Sequence, residues 1–301
     1  MKYILILITL FLLVACSGAK TNNSGVVNAF TSWNASSPNS AVNFTAGNSS
    51  SVSSVGSISQ QDSSISGSMI FDGARNLNSA TFTPFGGTTI TFSIANGSTI
   101  FLDSSGGNYF LKDKAGSTIG ITPNPYLQGF QYQTYGAWGP AITSGSGGGS
   151  GTSTLTSSYA ISIGSATAGS AIPVVGSATF TGTAGGYYYV SASQTNVTSA
   201  SMSATVNFSS RSINFSTSNT STVNTATGGY ANAASLNLAG TMNYAAGSGR
   251  FSGPVTTPGG GALQGNLLGA FYGPNANEVG GTFSLNSPTG ATFVGGFGGK
   301  R

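Results

Sequence analysis

Apolar and polar residues alternate with a period of two along much of this chain, and glycines cut the alternation into short pieces. In residues 235–244 the apolar or small residues Leu236, Leu238, Gly240, Met242 and Tyr244 are separated by Asn237, Ala239, Thr241 and Asn243. Side chains two apart share one face of a strand, whereas a helix groups residues three and four apart. A period of two with no sustained helical period predicts strands with one buried face. About eight such strands, at sandwich or barrel spacing, fit between residue 130 and the C-terminus. A lipid-facing barrel needs a continuous outward apolar band. Here the alternate positions are mostly Ser, Thr, Asn and Gly, which favours a barrel with an apolar interior.

Such strands need core material, and 18 Phe and 12 Tyr supply it. Charge is scarce: 5% of the residues, against roughly one quarter in ordinary soluble domains. The net charge of +4 is scattered, with no basic clustering beyond Lys112/Lys114 and Lys300/Arg301. Nucleic-acid binding requires a dense basic stripe, so no nucleic-acid partner is expected.

The same scarcity argues against an enzyme. Without histidine there is no imidazole base, no Ser-His-Asp triad and no histidine metal ligand. The five acids, Asp62, Asp72, Asp103, Asp113 and Glu278, are far apart in sequence. Lys20, Lys112 and Lys114 lie in no Ser-Lys motif, and the run "SGSGGGSG" at 144–151 lacks the Lys-Ser/Thr of a phosphate loop. No cofactor or metal site is expected.

The first 15 residues predict a lipoprotein signal peptide. The apolar run Tyr3 to Val14 is shorter than the roughly 20 residues of a membrane-spanning helix. Leu13-Val14-Ala15-Cys16 resembles a bacterial lipobox, which makes Cys16 the acylated first residue of the mature chain. An ordinary signal peptide with an incidental cysteine is the plainer alternative. Ser17, in place of an aspartate retention signal, points to the outer membrane. Residues 16–60 are rich in Ser, Asn and Gly and are expected to be a flexible tether, with a short ordered piece marked by Trp33 and Phe44 as the alternative.

Residues 61–128 predict a small β-rich domain. Ile90, Phe92 and Ile94 lead into Asn96-Gly97, a two-residue hairpin signal that places Phe92 opposite Phe101. A second hairpin over 108–121 turns at Asp113–Gly116, with Lys112 and Lys114 on a solvated edge rather than at a ligand. From 129 to 301, residues 176–193 suggest strand, glycine turn and strand. Residues 203–217 suggest a hairpin with Ser210-Arg211 at its tip, Phe208 facing Ile213 and Val206 facing Phe215. The strands ending at Tyr272 and starting at Glu278, the only glutamate, are expected to pair around a turn at 273–277. Tyr187, Tyr188 and Tyr189 are consecutive, so they point to both faces of a strand. They are the candidate ligand contacts, with core packing the plainer alternative. Tyr126, Tyr132 and Trp138 are expected to pack the junction between the two domains. A tyrosinate is a possible haem ligand, but nothing in the sequence selects one.

Several segments then match a known family in order: "YGAWG" (135–139), "AIPVVGSATFTGTAGG" (171–186), "ATVNFSSRSINF" (204–215), "LNLAGTMNY" with "GRFSG" (236–253), "GAFYGPNANEVGGTF" (269–283) and "VGGFGGKR" (294–301). Residues 130–301 resemble the β-barrel domain of transferrin-binding protein B and its single-lobe relatives among bacterial surface lipoproteins. The resemblance implies an all-β chain: an eight-stranded antiparallel barrel at 129–301, preceded by a β-rich handle at 61–128. It marks Phe271, Tyr272, Gly273, Pro274, Glu278, Gly280 and Gly281 as a structural family motif, with Glu278 accepting N–H groups of its own loop rather than contacting a ligand. Its implied function is a lipid-anchored, surface-exposed outer-membrane protein that captures a host protein or an iron- or haem-carrying ligand. A TonB-dependent transporter and a surface-lipoprotein translocator are the implied partners. An adhesin, an immune-evasion protein that binds complement regulators, or a structural lipoprotein is the alternative. The chain has room for one lobe where full transferrin receptors carry two.

Overall fold

The computed structural model describes residues 65–84, 88–141, 158–191 and 194–301, together with the backbone of three short strands within 41–61. Cys16 and the signal peptide lie outside the described residues. In the first part of the chain the strands are β1 (Ala41–Thr45), β2 (Ser49–Ser53), β3 (Ile58–Gln61), β4 (Ser66–Phe71), β5 (Leu77–Thr83), β6 (Ile90–Ser93), β7 (Thr99–Leu102), β8 (Asn108–Lys112), β9 (Thr118–Pro123), β10 (Gln133–Pro140) and β11 (Tyr159–Gly164). One helical turn, α1 (Pro125–Gln128), precedes β10. The second part holds β12 (Ser177–Ser191), β13 (Gln194–Asn207), β14 (Ser212–Asn224), β15 (Tyr230–Asn232), β16 (Ala239–Asn243), β17 (Arg250–Thr256), β18 (Gln264–Tyr272), β19 (Glu278–Asn286) and β20 (Thr292–Lys300).

The first part is a handle of two sheets, ordered β1-β4-β5-β6 and β3-β2-β11-β10-β9-β8-β7. Met69, Phe82 and Phe92 from the small sheet meet Leu111, Trp138 and Ile161 from the large one in a common core. Trp138 stacks between Phe82 and Tyr159, with ring centroids 5.4 and 5.6 Å away. The other face of the large sheet carries Phe110, Ile119, Ile121 and Ala137, which pack on Tyr187, Val197 and Val294 of the second part. Strands β8 to β11 are thus buried on both faces. Their runs of consecutive apolar residues follow from that placement.

The second part is a closed eight-stranded antiparallel barrel. Its order runs β13-β12-β20-β19-β18-β17-β16-β14, the pairing of β13 with β14 closes it, and β15 extends β14 at one end. Phe180, Met202, Phe215, Phe251, Phe283 and Phe297 fill the interior around Phe271. The Phe271 ring meets those of Tyr244 and Phe251 at 5.3 and 5.4 Å. The interior is a packed core, as a barrel of eight strands allows. Outward positions on the free wall, such as Ser201, Thr205, Asn214 and Ser216, are exposed and polar. This polarity is the reverse of a lipid-facing barrel. Along β13 the buried–exposed alternation holds from Ser201 onward, whereas Thr195–Ala200 is buried throughout. The change marks where the handle covers the wall.

Several expectations are corrected. Residues 41–61 hold three strands where a tether was expected: β1 edges the small sheet beside β4, and β2 lies between β11 and the edge strand β3 in the large one. The 90–103 segment is no hairpin. After Ser93 the chain makes a 3-10 turn, Gly97 takes a left-handed φ of 89°, and β6 and β7 join different sheets. Phe92 is buried between the sheets and Phe101 is 46% exposed, so the two never face each other. Residues 177–191 form one strand with the glycine run inside it, where a side chain at Gly185 would meet Ile121 of the handle. In the β13–β14 hairpin Val206 pairs with Ile213, and Ala204 with Phe215. The loop is longer than a two-residue turn: Asn207 accepts the N–H groups of Ser209 and Ser210 at 3.0 and 3.1 Å, and Arg211 takes a φ of 55°. Finally, β10 and β11 belong to the handle sheet, so the barrel sheet starts at Ser177 rather than at the expected boundary after residue 128. The 108–121 hairpin stands as expected, with Asp113 accepting N–H groups of Ser117 and Thr118 at 2.7 and 3.0 Å.

Candidate functional site

Glu278 opens β19, in register with Tyr272 on one side and Lys300 on the other. Its side chain is 2% exposed. One carboxylate oxygen accepts the N–H of Gln131 at 2.6 Å and the other that of Tyr132 at 3.1 Å. Those donors lie between α1 and β10, on the chain entering the handle sheet, and not in the 273–277 loop as expected. Burial pushes the carboxyl up to about 7, against the opposing pull of the two N–H groups and Lys300. Asn277 holds the loop instead, accepting the N–H of Asn275 at 3.1 Å.

The other motif residues also meet the handle or the barrel core. Phe271 is fully buried inside the barrel. The Tyr272 hydroxyl lies 3.3 Å from Ser162 Oγ on β11, and its burial pushes the phenol up to about 12. Gly273, at a φ of 85°, donates its N–H to Ser165 O at 2.9 Å, and Thr167 Oγ1 donates to Gly273 O at 2.6 Å. Pro274 is exposed at the tip. A Cβ at Gly280 would sit 2.9 Å from Gln133 Oε1 of the handle, and one at Gly281 would strike the Leu268 carbonyl. Tyr272, Gly273, Glu278 and Gly280 of the motif thus lie on the seam along which handle and barrel join, whereas Phe271 and Gly281 pack within the barrel.

A buried polar bridge, not foreseen from the sequence, crosses the same interface. Asp103 and Asn108 come from the β7–β8 turn and the start of β8. Ser199 Oγ donates to Asp103 Oδ2 at 2.5 Å, and Asn108 Nδ2 donates to Ser199 Oγ at 2.8 Å. The Tyr135 hydroxyl bonds Asn108 Oδ1 at 2.5 Å and Thr183 Oγ1 at 3.0 Å, and burial raises its pKa. Such a network fixes orientation only when its members are paired.

The three candidate tyrosines have different surroundings. Tyr187 is buried and donates to Pro140 O at 2.8 Å. Tyr189 is half-buried and packs with the same handle-facing cluster. Tyr188 turns to the barrel core, its ring 5.8 Å from Phe293. Of the three, Tyr188 alone lines a cleft of about 670 Å³ at the barrel rim. Gln194, Asn196, Asn224, Tyr230 and Asn232 share that lining, which contains no Asp, Glu, Lys or Arg among the described residues. The rim loops bring these residues together from β13, β14 and β15. Amides, hydroxyls and two tyrosine rings make up the polar part of the lining. No cluster of metal-ligating acids or thiols occurs among the described residues. Of the junction residues, Trp138 and Tyr126 belong to the handle core, and Tyr126 lies under the Arg75 guanidinium at 5.1 Å.

Residues 172–301 match the family model for the C-lobe and N-lobe beta barrels of Tf-binding protein B. Among solved structures the chain is similar to a transferrin-binding protein B of Haemophilus parasuis, at 17% identity and a TM-score of 0.44, covering 84% of this chain and 44% of that one. It is similar to the isotype 1 transferrin-binding protein B of Neisseria meningitidis at 16% identity and a TM-score of 0.40, covering 81% and 53%. The N-lobe domain of lactoferrin-binding protein B from Moraxella bovis gives 14% identity and a TM-score of 0.32, covering 57% and 76%. The chain spans about half the length of the two transferrin-binding proteins. No curated protein matches.

Proposed function

With residues 172–301 a β-barrel domain of the Tf-binding protein B kind, we propose that this chain is a lipid-anchored outer-membrane surface protein that captures a host protein or an iron- or haem-carrying ligand, without catalysis. In this reading Cys16 carries the lipid. A surface-lipoprotein translocator delivers the protein, and a TonB-dependent transporter receives the cargo. The observation that carries it is the filled barrel. Phenylalanines occupy the interior around Phe271, so a ligand meets the outside. The handle covers one wall and leaves the rim loops and edge strand β7, with its exposed Phe101 and Leu102, accessible. Loops on a fixed scaffold are where binding is usually placed.

The test is a pull-down from host serum and lysed blood with residues 17–301, read by mass spectrometry. Retention of a transferrin-like protein, haemoglobin or another iron carrier is the expected result. A blank from a protein that circular dichroism shows to be folded overturns nutrient capture. It leaves the second reading, an adhesin, immune-evasion or structural lipoprotein, which the uncharged rim cleft favours.

A further inference from the structure

We propose that the rim cleft between Tyr188 and Tyr230 binds a neutral saccharide. The inference goes beyond capture of a protein and does not depend on which protein is captured.

The lining decides the chemistry. Among the described residues it holds no Asp, Glu, Lys or Arg. A carboxylated, sulfated or phosphorylated ligand would therefore lose hydration with no opposite charge to replace it. An apolar ligand fares no better. Val190 and Leu236 are the large aliphatic residues of the lining, and Leu236 is buried in the barrel core. What remains is four side-chain amides, from Gln194, Asn196, Asn224 and Asn232, beside hydroxyls and two tyrosine rings. An amide offers both donors and an acceptor, and so does each hydroxyl of a sugar. Asn224 Oδ1 already accepts the N–H groups of Ala226 and Thr227 at 2.9 and 3.0 Å. Its NH2 group is the part that can face a ligand oxygen.

Tyr230 supplies the apolar component. It is 60% exposed, and the hydroxyls of Ser221 and Ser104 attend its phenolic oxygen. The ring is held at its polar end while the residue stays largely exposed. An aromatic ring fixed in this way gives the C–H face of a sugar a platform at low entropic cost. The cleft volume of about 670 Å³ lies within the roughly 300–1,000 Å³ of small-molecule sites. That space suits a short oligosaccharide. Two sources fit this chemistry, a glycan carried on a protein and a free oligosaccharide.

The test applies the full chain to an array of neutral oligosaccharides ending in galactose, mannose or N-acetylglucosamine. Each is printed beside its sialylated and sulfated forms. Retention of at least one neutral glycan is expected, weakened by the added charge. Tyr230→Ala and Asn232→Ala, both at exposed positions, should weaken retention about tenfold or more, while Thr241→Ala on the free wall leaves it unchanged. A folded protein that retains no neutral glycan overturns the inference. So does retention that survives Tyr230→Ala, or retention confined to charged glycans. For the source, a glycoprotein ligand is offered before and after enzymatic deglycosylation. Binding lost with the glycan assigns a protein-borne sugar, and binding of the free oligosaccharide alone assigns a free one. A protein partner still held after deglycosylation is bound through its polypeptide, which leaves the protein-capture reading standing and rules out that protein's glycan as the source.

Discussion

The carboxylate of Glu278, on the barrel, accepts the backbone N–H of Tyr132, on the chain that enters the handle sheet, at 3.1 Å. The neighbouring N–H of Gln131 binds the other oxygen at 2.6 Å. Removing the carboxylate strands two donors in a buried seam. Each buried unpaired polar group costs about 1–3 kcal/mol. Glu278→Ala is therefore expected to destabilise the protein by about 2–5 kcal/mol. Amide exchange should accelerate first at Gln131 and Tyr132. A melt unchanged from the parent protein would remove Glu278 from the seam's support.

The same carboxyl gives stability a definite pH slope. Burial, the leading cause, places it at about 7 instead of its ordinary 4.5. The folded state thus holds a proton that the unfolded state releases between those values. Stability is fully present below about 4.5 and is lost as pH rises through about 7. The size is on the order of 3 kcal/mol. Thermal melts should fall steadily from pH 5 to pH 8, and Glu278→Gln should flatten that slope. Asp113 acts in the opposite direction. Burial raises its pKa, but hydrogen bonds from Thr118 and Ser117 outweigh this and hold it below the ordinary value. Its contribution is lost in stronger acid.

Gly281 tests the packing of the motif. A methyl group there would be driven into the Leu268 carbonyl of the paired strand. Backbone in a closed barrel yields poorly. Gly281→Ala should cost about 1–3 kcal/mol, as overpacking does, measured by denaturant titration. A neutral result would mean that β18 and β19 separate freely at this point.

Asp103 tests the polar bridge. Asp103→Ala leaves the Ser199 hydroxyl, now 2.5 Å from the carboxylate, without its acceptor, and Asn108 without one of its contacts. The predicted loss is about 1–3 kcal/mol. Limited proteolysis should then cut the handle faster than the barrel. Equal rates of cutting would show that the apolar contacts of Ile121, Tyr187 and Val294 hold the two parts together unaided.

The barrel was legible in the sequence because its strands have one wet face, and a period of two records that directly. The large handle sheet was not. Phe110 faces the barrel while Tyr109 and Leu111 face the small sheet, so both alternating sets are apolar and the period vanishes. The Asn96-Gly97 signal was also ambiguous in physical terms. A left-handed glycine ends a hairpin and a sheet-crossing turn alike, and only the burial of Phe92 in the core between the sheets decides between them. Glu278 could be singled out as the lone glutamate, but its acceptor role depends on donors 147 and 146 residues away. The rim cleft draws on Tyr188, Asn196, Asn224 and Tyr230 from separate strands. Asparagine and tyrosine are too common in this chain for local pattern to mark them.

The adjacent tyrosines Tyr187 and Tyr188 separate support from recognition. Tyr187 is buried, with its hydroxyl on Pro140 O at 2.8 Å. Tyr187→Phe keeps the ring against the handle and removes the hydroxyl's contacts with Pro140 O and Thr195, so it should lower stability by about 1–2 kcal/mol. Retention of the ligand found by pull-down or array should be unchanged. Tyr188 packs on Phe293 and also lines the cleft. Tyr188→Phe preserves the packing and deletes the hydroxyl. Stability should hardly move, and ligand retention should fall if the hydroxyl is used. Isothermal titration of both variants, with melts alongside, reads the two effects separately. A binding loss in Tyr187→Phe equal to that in Tyr188→Phe would place recognition at the handle seam instead of the rim.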